Sequence, residues 1–164
     1  EAGNLGHQRY TEDDIGQAKV AYLAKRLDDA TSSLRVQGKV ENLREAEQLK
    51  GADLVIVCVD RPEPRRLVHG LDVPWVDVRC SGDGWLMLSS ETSPALLERM
   101  TPDHEPMSCQ VEGALEAGNL EFGFAAAAAH GAQWAFQQWR GRTSPVQSMG
   151  SLTYGVLSFP EVSA

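Results

Sequence analysis

Asp60 closes the run Ala52-Asp-Leu-Val-Ile-Val-Cys-Val-Asp60. Leu54 to Val59 are too few apolar residues to cross a membrane and rich in β-branched types, so they predict a strand buried on both faces of a parallel sheet. Ligands of open α/β sheets bind just outside the carboxyl ends of the strands, so a carboxylate there can serve a ligand; it can also cap the helix that follows. Cys58, Cys80 and Cys109 are odd in number and lack C-x-x-C spacing, which suggests neither a disulfide framework nor a structural zinc site, and fits a reducing, cytoplasmic setting. Cys58 reads as a small packed hydrophobe inside its strand, whereas Cys80, beside the turn Gly82-Asp-Gly84, can face the same sheet edge as Asp60. His130 lies in an alanine-rich run with no second histidine at metal spacing, and reads as a core histidine rather than a ligand.

Several elements must position these groups. Thr11-Glu-Asp-Asp14 is a helix start, with a capping threonine and carboxylates facing the positive end of the helix dipole. Val20, Leu23, Ala24 and Leu27 recur at helical spacing and carry an amphipathic helix to about residue 30. Residues 34–38 suggest an edge-like strand and 41–49 a short charged helix ended by Lys50 and Gly51. Arg61-Pro-Glu-Pro64 opens a helix reaching about Val68, since a proline in the first turn loses no hydrogen bond. Strands follow at 73–78 and 85–88, separated by the glycine turn. Residues 89–110 are the least regular stretch, with a helical turn or two around Leu96 to Met100. Phe122 to Trp139, apolar on every side, predicts a helix buried all round and ended by Gly141; 151–155 and 156–159 read as a terminal β-hairpin. This order predicts one α/β domain over residues 1–164.

The 164 residues, 42% hydrophobic and 23% charged, have globular composition. Twenty-three acidic against 15 basic side chains, a net charge of −8, argue against a general nucleic-acid or anionic-membrane surface but leave room for a local pocket for one phosphate group. There is no apolar run of roughly 18 residues and no signal-peptide pattern. The opening at Glu1, without methionine, hints at processing, truncation or a leading part.

Three patterns, in order, resemble the adenylation domain of the ubiquitin-activating-enzyme superfamily, whose bacterial members are the ThiF, MoeB and HesA adenylyltransferases. Asn4-Leu-Gly-His-Gln8 is similar to the family's Asn-Leu-x-Arg-Gln, and Asp14-Ile-Gly-Gln-Ala-Lys19 to its Asp-Ile-Gly-x-x-Lys. Asp53 to Asp60, with Arg65 five residues on, is similar to its strand, aspartate and following arginine. The resemblance implies a Rossmann-like layered sheet, mostly parallel, with a C-terminal buried helix and terminal hairpin. It implies an ATP-dependent adenylyltransferase that activates the C-terminal carboxylate of a ubiquitin-like or sulfur-carrier protein with a flexible glycine tail, working as a homo- or heterodimer.

In that reading Lys19 meets a phosphate as a flexible point charge, Asp60 holds Mg²⁺, and Asn4, Gln8 and Arg65 bind the nucleotide. Attaching AMP to a carboxylate requires cations and metal placed to neutralise the departing pyrophosphate. A solvated surface lysine at 19 and loop-structuring amides at 4 and 8 are the plainer alternatives. Cys109, in Pro106-Met-Ser-Cys-Gln110, falls where relatives carry a cysteine used in thioester or persulfide chemistry. The sequence departs from the pattern twice. His7 replaces an arginine, and an imidazole mostly neutral at pH 7 is no substitute for a guanidinium fork. No G-x-G-x-x-G occurs, so the nucleotide-cradling loop must come from a leading segment or a partner chain. These departures favour the alternative of a catalytically inactive partner subunit or binding module. A nicotinamide oxidoreductase would need the same absent loop.

Overall fold

The run ending at Asp60 forms β1 (Val55–Val57), and Pro62 and Pro64 open α2 (Pro62–His69), whose N-cap position is Arg61. The chain then enters β2 (Trp75–Ser81), which pairs with β1 in parallel with Val55 opposite Trp75. This is a β-α-β crossover, the connection parallel strands require. The computed structural model describes residues 10–30, 33, 35–114 and 116–160, in two compact units, residues 1–42 and 43–164.

After β2 the topology changes. Gly82 (φ +57°) and Asp83 turn the chain straight back into β3 (Gly84–Ser89), and a two-residue link of this kind can only join antiparallel neighbours. The short α3 (Pro94–Met100), capped by Ser93, and the long α4 (Gly123–Trp139) precede β4 (Gln147–Ser151) and β5 (Gly155–Val156), which finish the sheet in the order β1-β2-β3-β4-β5. Among the described residues only the β1–β2 pairing is parallel; the other pairings are antiparallel. The α/β class stands, and the expected mostly parallel sheet is corrected to a mostly antiparallel one. The expected hairpin is present, with its first strand upstream of residue 151.

Alternation along β2 assigns two cores to the two faces. Val76 and Val78, with Trp85 and Met87 of β3, pack against Ala127 and Trp134 of α4. Trp75 joins Val55, Val57 and Val68 in the second cluster, so Asp77 and Arg79 share the α2 side. Among the described residues β1 is an edge strand, and it departs from the expectation of burial on both faces: Val55 and Val57 are buried but Ile56 is 47% exposed.

α4 is also less enclosed than expected. Gly123, Ala127, Gly131 and Trp134 form one buried stripe, while Phe136 and Trp139 are exposed. The stripe is narrow because two glycines let the helix lie close to the sheet: a Cβ on Gly123 would stand 2.4 Å from the Gly82 and Gly84 carbonyl oxygens, and one on Gly131 2.8 Å from Val78 Cγ1. His130 is no core histidine; it sits on the exposed side with its ring stacked on Trp85 at 3.8 Å.

In the unit of residues 1–42, Asp14 accepts hydrogen bonds from the Thr11 amide (2.8 Å) and hydroxyl (2.9 Å), closing a 3-10 turn over Glu12–Asp14. Gly16 (φ +86°) breaks the expected continuous helix, and α1 runs over Lys19–Ala30. Residues 35–38 pair with no strand among the described residues. The helix expected at 41–49 shrinks to a 3-10 turn, Ala46–Leu49. The Gln48 amide oxygen there takes the Arg44 and Glu45 N–H groups at 2.7 and 3.0 Å, an alternative to helical bonding.

Candidate functional site at the carboxyl ends of the parallel strands

A buried carboxylate organises the ends of β1 and β2. Asp77 is fully buried and is met by three side chains: the guanidinium groups of Arg65 on α2 and of Arg79 (2.6 Å), and the imidazole of His69 one turn after Arg65 (3.0 Å). Arg65 and His69 are four apart and therefore share one helical face, while Arg79 lies two residues along the strand from Asp77 and shares its side. Arg65 uses its second amino group on the Val59 carbonyl, fixing the backbone just before Asp60. Arg79 reaches the Met100 carbonyl and, at 2.8 Å, the Thr101 hydroxyl, tying the end of α3 to the sheet.

Burial alone would raise the Asp77 carboxyl, but the hydrogen bonds from His69 and Arg79 and the charges of Arg79 and Arg65 outweigh it and hold the group below the ordinary carboxylate range. Burial pulls the Arg65 guanidinium down, with Asp77 opposing.

Beside this network lies a cavity of about 350 Å³. Asp60, Arg65 and Arg79 line it, with all three cysteines, His104 of the following loop and the first turns of α4. It sits at the carboxyl ends of β1 and β2, where sheets of this class present ligands. Asp60 is exposed, and Arg61 rather than Asp60 caps α2, which leaves the carboxylate for the cavity. The segment carrying Cys109 is held against the β2–β3 turn by Gly82 N–H to the Cys109 carbonyl (3.0 Å). Gln110 steadies it through two bonds with the Glu121 backbone (2.7 and 3.0 Å). A pocket that combines one free carboxylate with two anchored guanidinium groups suits a ligand that is anionic and brings a cation with it.

The structure brings Asp60, Arg65 and Cys109 to one cavity. Asn4 and Gln8, with His7, lie outside the described residues. Lys19 is the first residue of α1, exposed, with Nζ 5.9 Å from the centre of the Tyr10 ring. It belongs to the other compact unit, so its convergence with Asp60 is a matter for proposal. Cys58 is corrected from a packed core residue to an exposed one lining the cavity, because β1 ends at Val57 and no further strand covers it among the described residues. Asp77, His69 and Arg79 were not anticipated. The signal was present: a lone acid inside the apolar strand 73–78 demands a charged partner, and Arg65, His69 and Arg79 are spaced to provide it. Among the described residues no group of three His, Cys, Asp or Glu side chains is placed to hold a metal ion.

No curated protein sequence matches the chain. Among solved structures, E. coli MccB with succinimide superposes with a TM-score of 0.66 at 16% identity, covering 97% of this chain and 53% of that one. E. coli MccB with MccA-N7isoASN gives 0.65 at 16% identity, with coverages of 97% and 54%. E. coli MccB alone gives 0.60 at 13% identity, with coverages of 90% and 48%. The chain thus spans about half the length of these structures, and at such identities the likeness is one of fold. The ThiF family model matches residues 1–149, most of the 164-residue chain, and on that match this protein belongs to the ThiF family.

Proposed function

We propose that this chain is the later part of an ATP-dependent adenylyltransferase of the ubiquitin-activating type, and that its substrate is the C-terminal carboxylate of a ubiquitin-like or sulfur-carrier protein. The observation that carries the reading is Asp60, exposed at the end of β1 in a cavity it shares with Arg65 and Arg79. Membership of the ThiF family and the likeness in fold to MccB, one structure of which holds MccA-N7isoASN, support it.

The residues fit Mg²⁺ arriving with a nucleotide, because Mg²⁺ is content with one or two carboxylates when phosphate and water supply the remaining oxygens. Asp60 would be that carboxylate. When bound, Mg²⁺–ATP supplies the electrophilic phosphorus and the leaving pyrophosphate. The chain's own contribution is electrostatic and positional. Lys19 neutralises phosphate charge as it develops, and Arg79 presents positive potential to the cavity. Arg65, already engaged by Asp77 and the Val59 carbonyl, acts as a positioning residue that holds Asp60 at the strand end. Asn4 and Gln8 bind the nucleotide, and Cys109 stands beside the cavity as a nucleophile for a later acyl or sulfur transfer. In this reading residues 1–164 are one adenylation domain, and the glycine loop that cradles the phosphates comes from a leading segment or a partner chain.

The test is direct. The chain, alone and with the products of neighbouring genes, is incubated with ATP, Mg²⁺ and a carrier protein ending in Gly-Gly, and the carrier is weighed by mass spectrometry. A carrier heavier by one adenylyl group, with pyrophosphate released, is the expected result. ATP binding without adenylation under any pairing would instead identify a partner subunit that has lost catalysis.

A further inference from the structure

All three cysteines face one cavity, although their spacing in sequence gives no hint of it. Cys80 comes from the end of β2, Cys109 from the loop before α4, and Cys58 from just past β1. Of these, Cys109 lies within hydrogen-bonding reach of the Cys80 thiol. The backbone reinforces that approach, since Gly82, two residues after Cys80, donates to the Cys109 carbonyl at 3.0 Å and itself accepts from Gly123 at the start of α4. Both thiols are partly exposed, so a small oxidant can reach them.

We propose that Cys80 and Cys109 are a reversible dithiol pair, whose disulfide fastens the 101–121 segment to the sheet across the cavity that holds Asp60.

The oxidant is a low-molecular-weight disulfide. Cys109, carried on the loop, opens the sequence, while its hydrogen bond and burial push the Cys80 thiol up. The Cys109 thiolate attacks one sulfur of the oxidant, forming a mixed disulfide and expelling the first small thiolate. Cys80, giving its proton to that thiolate, attacks the Cys109 sulfur; the protein disulfide forms, the mixed one breaks, and the second small thiolate leaves with the proton Cys109 gave up. Two electrons pass from the protein to the oxidant, and a small dithiol reverses the exchange. Cys58 takes no part.

This inference is independent of adenylation, and its test requires no ATP. The full chain is treated with oxidised glutathione, free thiols are blocked with iodoacetamide, and digests are mapped by mass spectrometry before and after dithiothreitol. We expect a cross-linked pair of peptides containing Cys80 and Cys109, alkylation of Cys58 alone among the three cysteines, and recovery of all three on reduction. Cys80→Ser should accumulate a stable glutathione adduct on Cys109, and Cys58→Ser should behave as wild type. Three alkylated cysteines after oxidation, a persistent glutathione adduct in the wild type, or a disulfide that includes Cys58 would each overturn the proposal.

Discussion

Asp77 carries more of the site's architecture than any residue with a catalytic look. It is fully buried, and its partners are the side chains that set the end of β1 and the end of α3. Breaking a buried ion pair on one side leaves an uncompensated charge and costs about 3–5 kcal/mol. Asp77→Asn should therefore lower stability by roughly that amount in urea unfolding at pH 7, because Arg65 stays buried with no anion. The pH dependence follows from the direction of the shift. With its folded value below the ordinary range, the carboxylate stabilises the native state above the usual aspartate pKa, and that contribution fades as pH falls below about 4. Wild type should lose melting temperature steeply in that acid window, and Asp77→Asn should lose less. Equal acid sensitivity in the two proteins would show that the network stores no such stability.

At the scale of elements, much of the architecture could be read from residue types. The proline entrance of α2, the glycine turn between β2 and β3, and the bounds of α4 follow from local rules that tertiary packing did not override. What misled were properties of neighbours. Six apolar residues look the same in a central strand and an edge strand, so only the sheet order reveals that Ile56 is uncovered. Alanine on all sides of a helix likewise says nothing about which sides are met, and the glycines at 123 and 131 were the better guide to the packed stripe. Within the candidate site, Asp60 and Arg65 were legible through position and motif, whereas the convergence of three cysteines depends on loop paths that no spacing rule encodes. Gly123 tests the packing. Gly123→Ala drives a methyl into two carbonyl oxygens and should destabilise the fold by about 2–3 kcal/mol despite alanine's better helix propensity. A melting temperature that rises instead would mean that α4 does not depend on this close approach to the turn.

The whole molecule joins a small unit bearing Lys19 to a larger one bearing Asp60, and the functional account requires both residues to act on one nucleotide. Net charge adds a constraint. An overall −8 repels a polyphosphate at long range, so binding should rest on the local cations and on Mg²⁺. Nucleotide affinity should therefore rise with Mg²⁺ and fall when Asp60 is removed, which titration calorimetry can follow. The central claim is tested most directly by exchange of labelled pyrophosphate into ATP, catalysed by the chain together with whatever segment or partner restores the glycine loop. Exchange in the wild type, reduced by at least about a hundredfold in Lys19→Ala and again in Asp60→Ala, is the expected result. Undiminished exchange in either variant would contradict the convergence of that cation and that carboxylate on the same phosphates.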